Sequence, residues 1–128
     1  MALVRLDCFH VALPLKKLIK HASHQRMTSD NLIVRATLDD GSIGYGEGVP
    51  RSYVSGDTID TAIKAIGETD VYQTLGSPGD FESAVDRISS VSLATIQNDP
   101  RGMFGNAARC ALELALLDAY GRRFGRSV

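Results

Sequence analysis

The 128 residues carry 44% hydrophobic and 23% charged side chains, with a formal net charge of -1. That composition excludes a disordered tail and allows one globular domain with a modest core, and lysines and arginines that are scattered rather than massed exclude a nucleic-acid partner. No apolar run approaches membrane-spanning length, and Arg5 and Asp7 interrupt what would have to be a signal-peptide core, so a cytoplasmic protein with no membrane partner is expected.

Val4, Leu6, Cys8, His10 and Ala12 fall on one face of an extended segment, which predicts a first strand over residues 3–13 that Pro14 ends. The polar stretch "KKLIKHASHQRMTSD" has no clean periodicity and reads as a long excursion from the sheet. Leu32, Val34, Ala36 and Leu38 then alternate with Asn31, Ile33, Arg35 and Thr37 in a second strand. Asp40 and Gly41 supply a tight hairpin, and the return strand runs from Ile43 to Val49. Beyond it the period changes from two to about 3.6. Ile59, Ala62, Ile63 and Ile66 make one helical stripe behind the potential caps Asp57 and Thr58, with Gly67 ending or bending it. A second helix follows Pro78, capped by Asp80, with Phe81, Ala84, Val85 and Ile88 as its buried stripe. The third, "NAARCALELALLDAYGRRF", is apolar nearly all round and should be buried on more than one side. The fold class is α+β, a three-stranded antiparallel meander followed by a three-helix bundle, with residues 1–128 as one domain. Cys8 and Cys110 lie in apolar contexts without metal-ligand spacing and are expected as buried free thiols.

Gly44, Gly46 and Gly48 suggest a phosphate loop at first sight. Phosphate-binding glycines, however, follow a strand and open a helix, whereas these alternate within a strand. Spacing of two puts all three on one face, where missing side chains let another backbone approach closely. Glu47 lies on the opposite face with no second carboxylate at a useful spacing, so a structural hydrogen bond or ion pair is expected rather than general-base chemistry. The three histidines have no zinc-site spacing. His10 alternates with core positions and reads as a satisfied strand residue. His21 and His24, beside Gln25, Arg26 and Met27, suit ligand contact and equally suit a solvated loop. Glu113 and Asp118 are five apart on one helix and cannot converge on a metal, so Asp118 is expected to satisfy nearby donors.

Two blocks are specific: the hairpin "DDGSIGYGEG" and the helix "ALELALLDAYGRRFGR". With the pattern between and before them, the chain resembles the N-terminal capping domain of the enolase superfamily, in the muconate-lactonizing-enzyme and dipeptide-epimerase (mandelate racemase/muconate lactonizing enzyme) subgroup. The resemblance implies a racemase, epimerase or cycloisomerase that abstracts a proton next to a carboxylate with the help of Mg2+. In that family a (β/α) barrel follows the cap and carries the lysine bases and the acidic metal ligands. The chain would therefore hold no catalytic residue and no metal ligand, and its partners would be its own C-terminal barrel domain and a small carboxylate substrate such as a dipeptide or acyl amino acid, in a homo-oligomer. The segment "VPRSYVSGD" corresponds to a loop laid over the barrel mouth, and the excursion around "HASHQRMTS" to a second, so the implied substrate-binding residues are His24, Arg26, Met27, Arg51 and Tyr53. At His24 the sequence departs from the Ala-Glu dipeptide epimerases, which carry an arginine there for the substrate's acidic side chain; Arg26 or Arg51 could supply a similar charge. The second face of the last helix would pack on the barrel, leaving Leu112, Leu114, Ala115, Leu116 and Leu117 incompletely covered within the chain. The alternative is a free-standing binding or interaction module without catalytic activity.

Overall fold

The computed structural model describes residues 1–20, 25–53, 56–95 and 104–128. Three strands, β1 (Leu3–Lys20), β2 (Gln25–Leu38) and β3 (Ile43–Gly48), form an antiparallel sheet in the order β1-β2-β3. The turn between β2 and β3 is the expected one. Gly41 takes a φ of 89°, and the Asp40 carboxylate accepts from both the amide and the hydroxyl of Ser42, each at 2.9 Å.

Apart from residues 21–24, which lie outside the described residues, the polar stretch after Pro14 is not an excursion from the sheet. It is the arm of the β1–β2 hairpin, which continues through Pro14↔Thr28 to Ile19↔Arg26 and Lys20↔Gln25, with a register shift between Pro14 and Ile19. Proline is tolerated because β1 is an edge strand, where a missing N–H can face outward without breaking a ladder bond. The shift also scrambles the alternation by which a strand is recognised. A second shift, between Leu3 and Arg5, turns Leu3 into the core and leaves Val4 54% exposed, whereas strict alternation would have placed Val4 inside.

Among the described residues four helices follow: α1 (Ile59–Glu68), α2 (Val71–Leu75), α3 (Phe81–Ser89) and α4 (Asn106–Phe124). Thr58 caps α1 in a reciprocal box with Thr61, Gly67 lies within the helix, and Asp57 is used elsewhere. Asp80 caps α3 by accepting the Ser83 amide at 2.8 Å. The short α2, capped by Asp70, adds a turn that five residues are too few to announce by periodicity.

The glycine stripe decides how α4 sits. Gly44, Gly46 and Gly48 are buried while Ile43, Tyr45 and Glu47 alternate with them on the exposed face. A Cβ built on any of the three would lie under 3.0 Å from the α4 main chain: on Gly44 against Ala115 and Ala119, on Gly46 against Ala111 and Ala115, on Gly48 against Ala107. Alanines every fourth residue thus rest directly on glycines every second residue, and the two backbones touch. The neighbouring face of α4 carries Leu112, Leu116 and Tyr120, which close the core over Leu32, Val34, Ala36 and Leu38 of β2. The Tyr120 hydroxyl donates to the Met1 carbonyl at 3.0 Å, and its burial pushes its pKa up to about 12.

Because α4 packs on β3, β2, α1 and α3, more of it is covered than its apolar circumference suggests. Leu112, Ala115 and Leu116 are buried, Leu117 is half-buried and Leu114 is 42% exposed, so the expected five-residue patch shrinks to its two outermost members. Arg109 and Glu113 pair at 3.0 Å along the helix. Asp118 accepts the Tyr45 amide at 2.9 Å and Arg122 at 3.1 Å, as a satisfier of local donors should. The Cys110 thiol lies 3.6 Å from the Glu47 carbonyl. Both cysteines are free, but Cys8 is half-buried and Cys110 exposed, against the expectation that both are interior.

Candidate functional site

β3 stops at Gly48, opposite Leu32, while β2 extends seven residues further back to Gln25. The edge of β2 around Ser29–Asn31 therefore has β1 on one side and, among the described residues, no strand on the other. Unpaired edge groups need partners. The chain leaving β3 supplies them through Arg51: its Nη1 donates to the Asp30 carbonyl at 2.9 Å and to the Pro50 carbonyl at 2.8 Å, and its Nη2 to the Ser29 hydroxyl at 2.9 Å. Ser29 in turn donates to Asn31 Oδ1 at 2.5 Å, and Asn31 Nδ2 donates to Glu47 Oε2 at 2.8 Å. Glu47 is thus the hydrogen-bonded structural carboxylate that its strand position implied.

The far end of the same loop is fixed by Asp57. Its side chain is fully buried, and Oδ1 accepts the Gly105 amide at 2.8 Å, which ties the loop to the residue that precedes α4. Between these anchors the loop and the hairpin stem border an open hollow of about 290 Å3, lined by His10, Asp30, Arg51, Tyr53, Asp57 and Ile59 among others. His10 Nε2 lies 3.0 Å from Asp30 Oδ1, with each side chain about half exposed. A larger hollow of about 450 Å3 lies between β1, α1 and α2, lined by Leu6, Cys8, Ile63, Ile66 and Tyr72 among others. Burial there pushes the Cys8 thiol pKa up, away from the reactive thiolate.

Of the five implied substrate-binding residues, Arg51 and Tyr53 line the smaller hollow, and the Arg51 guanidinium is held on β2. Arg26 and Met27 lie on the β2 arm three or four residues beyond Asp30, Arg26 opposite Ile19. His24 falls outside the described residues, as does His21. Sequence reasoning did not assign His10, Asp30 or Asp57 to this site. His10 shares the inward parity of Cys8 and stands opposite Leu32, where the loop and the start of α1 line the hollow around it. Among the described residues no three His, Cys, Asp or Glu side chains converge as a metal site, and the His10–Asp30 pair is one ligand short of the usual minimum for an all-protein site. No helix of the described chain is long and apolar enough to cross a membrane.

No family model matches the chain. It is similar to the L-Ala-D/L-Glu epimerase of Bacillus subtilis, with 30% identity over 98% of this chain and 32% of that protein. A substrate-liganded structure of that epimerase superposes with a TM-score of 0.73 and 27% identity, over 96% of this chain and 32% of the other. The N-succinyl-L-Arg/Lys racemase of Bacillus cereus is 27% identical over the whole of this chain and 32% of its own. The chain belongs to the enolase superfamily. Within it, the relatives place the chain in the mandelate racemase/muconate lactonizing enzyme subgroup, and the meander with its helices is that subgroup's N-terminal domain fold. The fold also recurs in a dipeptide epimerase from Enterococcus faecalis solved with Mg and the dipeptide L-Leu-L-Tyr, at a TM-score of 0.71 and 22% identity over 96% of this chain and 32% of that one. This enolase-superfamily domain spans about a third of the length of the curated relatives it matches.

Proposed function

We propose that this domain caps the active site of a racemase, epimerase or cycloisomerase that removes the proton α to a carboxylate, and that it selects the substrate. One observation carries the reading: the hairpin arm bearing Arg26 and Met27 and the loop bearing Arg51 and Tyr53 lie at the same end of the sheet, and the loop lines an open hollow beside the hairpin stem. Two segments meeting at one end of a rigid sheet can exclude water from a neighbouring reaction centre and touch the distal part of a substrate. The metal ligands and the base would come from the barrel domain that the resemblance implies. Mg2+ held there would stabilise the charge that develops when the α-proton leaves. The half-exposed Leu114 and Leu117 on α4 give such a barrel an apolar surface to rest on. The named substrates of the relatives, a dipeptide and an acylated amino acid, support a small carboxylate of that size as the substrate class.

The test uses the intact enzyme and a panel of dipeptides and acyl amino acids, with a truncated substrate too short to reach the loops. Tyr53→Ala and Arg26→Ala should lower kcat/KM about tenfold for preferred long substrates and leave proton exchange on the truncated one nearly unchanged. Equal losses on both classes would mean that the loops choose nothing, and the capping role in specificity would fall.

A further inference from the structure

We propose that Glu47, Asn31 and Ser29 are positioning residues, a polarised hydrogen-bond relay that sets where the loop segment 49–53 lies by orienting the partner of Arg51. The inference rests on the capping role proposed above, but its chemistry can be read independently. An ionised carboxylate only accepts hydrogen bonds, so Glu47 Oε2 fixes the orientation of the Asn31 amide, whose Nδ2 must face it at 2.8 Å. Asn31 Oδ1 then faces Ser29 and takes the hydroxyl proton at 2.5 Å. With its one proton committed, Ser29 Oγ offers lone pairs to Arg51 Nη2 at 2.9 Å. A negative group at one end and a guanidinium at the other polarise every bond in the same direction, which strengthens each of them. Asn31 is nearly fully buried, so a reversed amide could not be rescued cheaply by water.

The relay also explains why a strand residue and a loop residue four positions apart are joined by way of β2. Glu47 is the last outward-facing residue of β3, and Arg51 reaches the β2 edge where β3 no longer covers it. Register in the sheet is thereby converted into the position of the loop at Tyr53, which lines the hollow.

The test is a swap of the two hydrogen-bonding types, made in the intact enzyme. Asn31→Asp sets two carboxylates face to face and removes the donor, while Asn31→Asp combined with Glu47→Gln restores a relay of the same length with amide and carboxylate exchanged. Hydrogen exchange by mass spectrometry over residues 49–53 should rise about tenfold in the single variant and return to within about twofold of wild type in the double variant, with α4 exchange unchanged in both as the control for folding. Unchanged loop exchange in Asn31→Asp, or a double variant no better than the single one, overturns the relay. KM measured on the same proteins separates this outcome from failure of the capping role. Loop exchange that rises and is rescued while KM for long substrates stays constant keeps the relay and sinks the specificity function. Both moving together, with kcat little changed, supports both.

Discussion

Replacing Gly46 with alanine puts a methyl group where α4 already has main-chain atoms. The new Cβ would meet the Ala111 carbonyl and the Ala115 amide, and ordinary contact begins only at 3.4 Å. Neither neighbour is the flexible end of a side chain, so the helix itself must back away by more than an ångström, or the strand must buckle. A gap of that size forfeits about half or more of the dispersion attraction along the seam. It also loosens the contact between α4 and the core of Leu32, Val34 and Ala36. Overpacking of this kind costs about 3 kcal/mol, the upper part of its usual range. With a urea slope near 2 kcal/mol/M for a domain of this size, the midpoint should fall by about 1.5 M with the slope unchanged. Gly67 is the internal control, since it lies within α1, has nothing within 4 Å of an added Cβ, and carries no positive φ. Gly67→Ala should therefore stabilise by up to about 1 kcal/mol through helix propensity. Equilibrium urea unfolding of the three proteins decides the matter. A Gly46→Ala midpoint within experimental error of wild type, or equal shifts at the two positions, would refute the direct backbone contact.

Asp57→Ala should cost about 2 kcal/mol by leaving the buried Gly105 amide without its acceptor, whereas Asp57→Asn, which keeps an oxygen there, should cost clearly less by the same unfolding measurement. Tyr120 titrates near 12 in the folded protein instead of 10, because burial disfavours its phenolate. Its folded pKa is raised, so the associated stability is complete below pH 10 and is lost as pH rises toward 12. Alkaline titration followed by phenolate absorbance, with Tyr120→Phe as the difference, should show this group ionising only as the pH approaches 12; ionisation near pH 10 with the circular dichroism still native would contradict its burial.

What could be read from the sequence was whatever is set locally or by parity. The Asp40-Gly41 turn, the buried face of Gly44, Gly46 and Gly48, and the Asp80 cap each depend on a few adjacent residues, and each lies where its residue types require. The arm beyond Pro14 was hidden because a register shift breaks the alternation that marks a strand. The same held for Val4, displaced to the surface by the shift beside it. For the site, the loop carrying Arg51 and Tyr53 was recognised by resemblance, but its anchors were not. Ser29 and Asp30 meet Arg51 from 21 or 22 residues away, and Gly105 meets Asp57 from 48 away. Such partners are created by the chain folding back, and no spacing along it announces them.

The outer margin of β3 has one more consequence, for self-association. Strands at the rim of a sheet invite pairing with a foreign strand, because their amides and carbonyls point outward unclaimed. Here the Tyr45 amide is already bonded to Asp118, and the Cys110 thiol sits at the Glu47 carbonyl, both from the helix lying on the same strand. An incoming strand would have to displace a carboxylate, and so begin prising α4 off the glycine seam, before making its first ladder bond. Asp118→Ala should therefore raise the rate of amyloid-type aggregation more than its effect on stability alone would predict, measured by thioflavin fluorescence at matched fractions of unfolded protein.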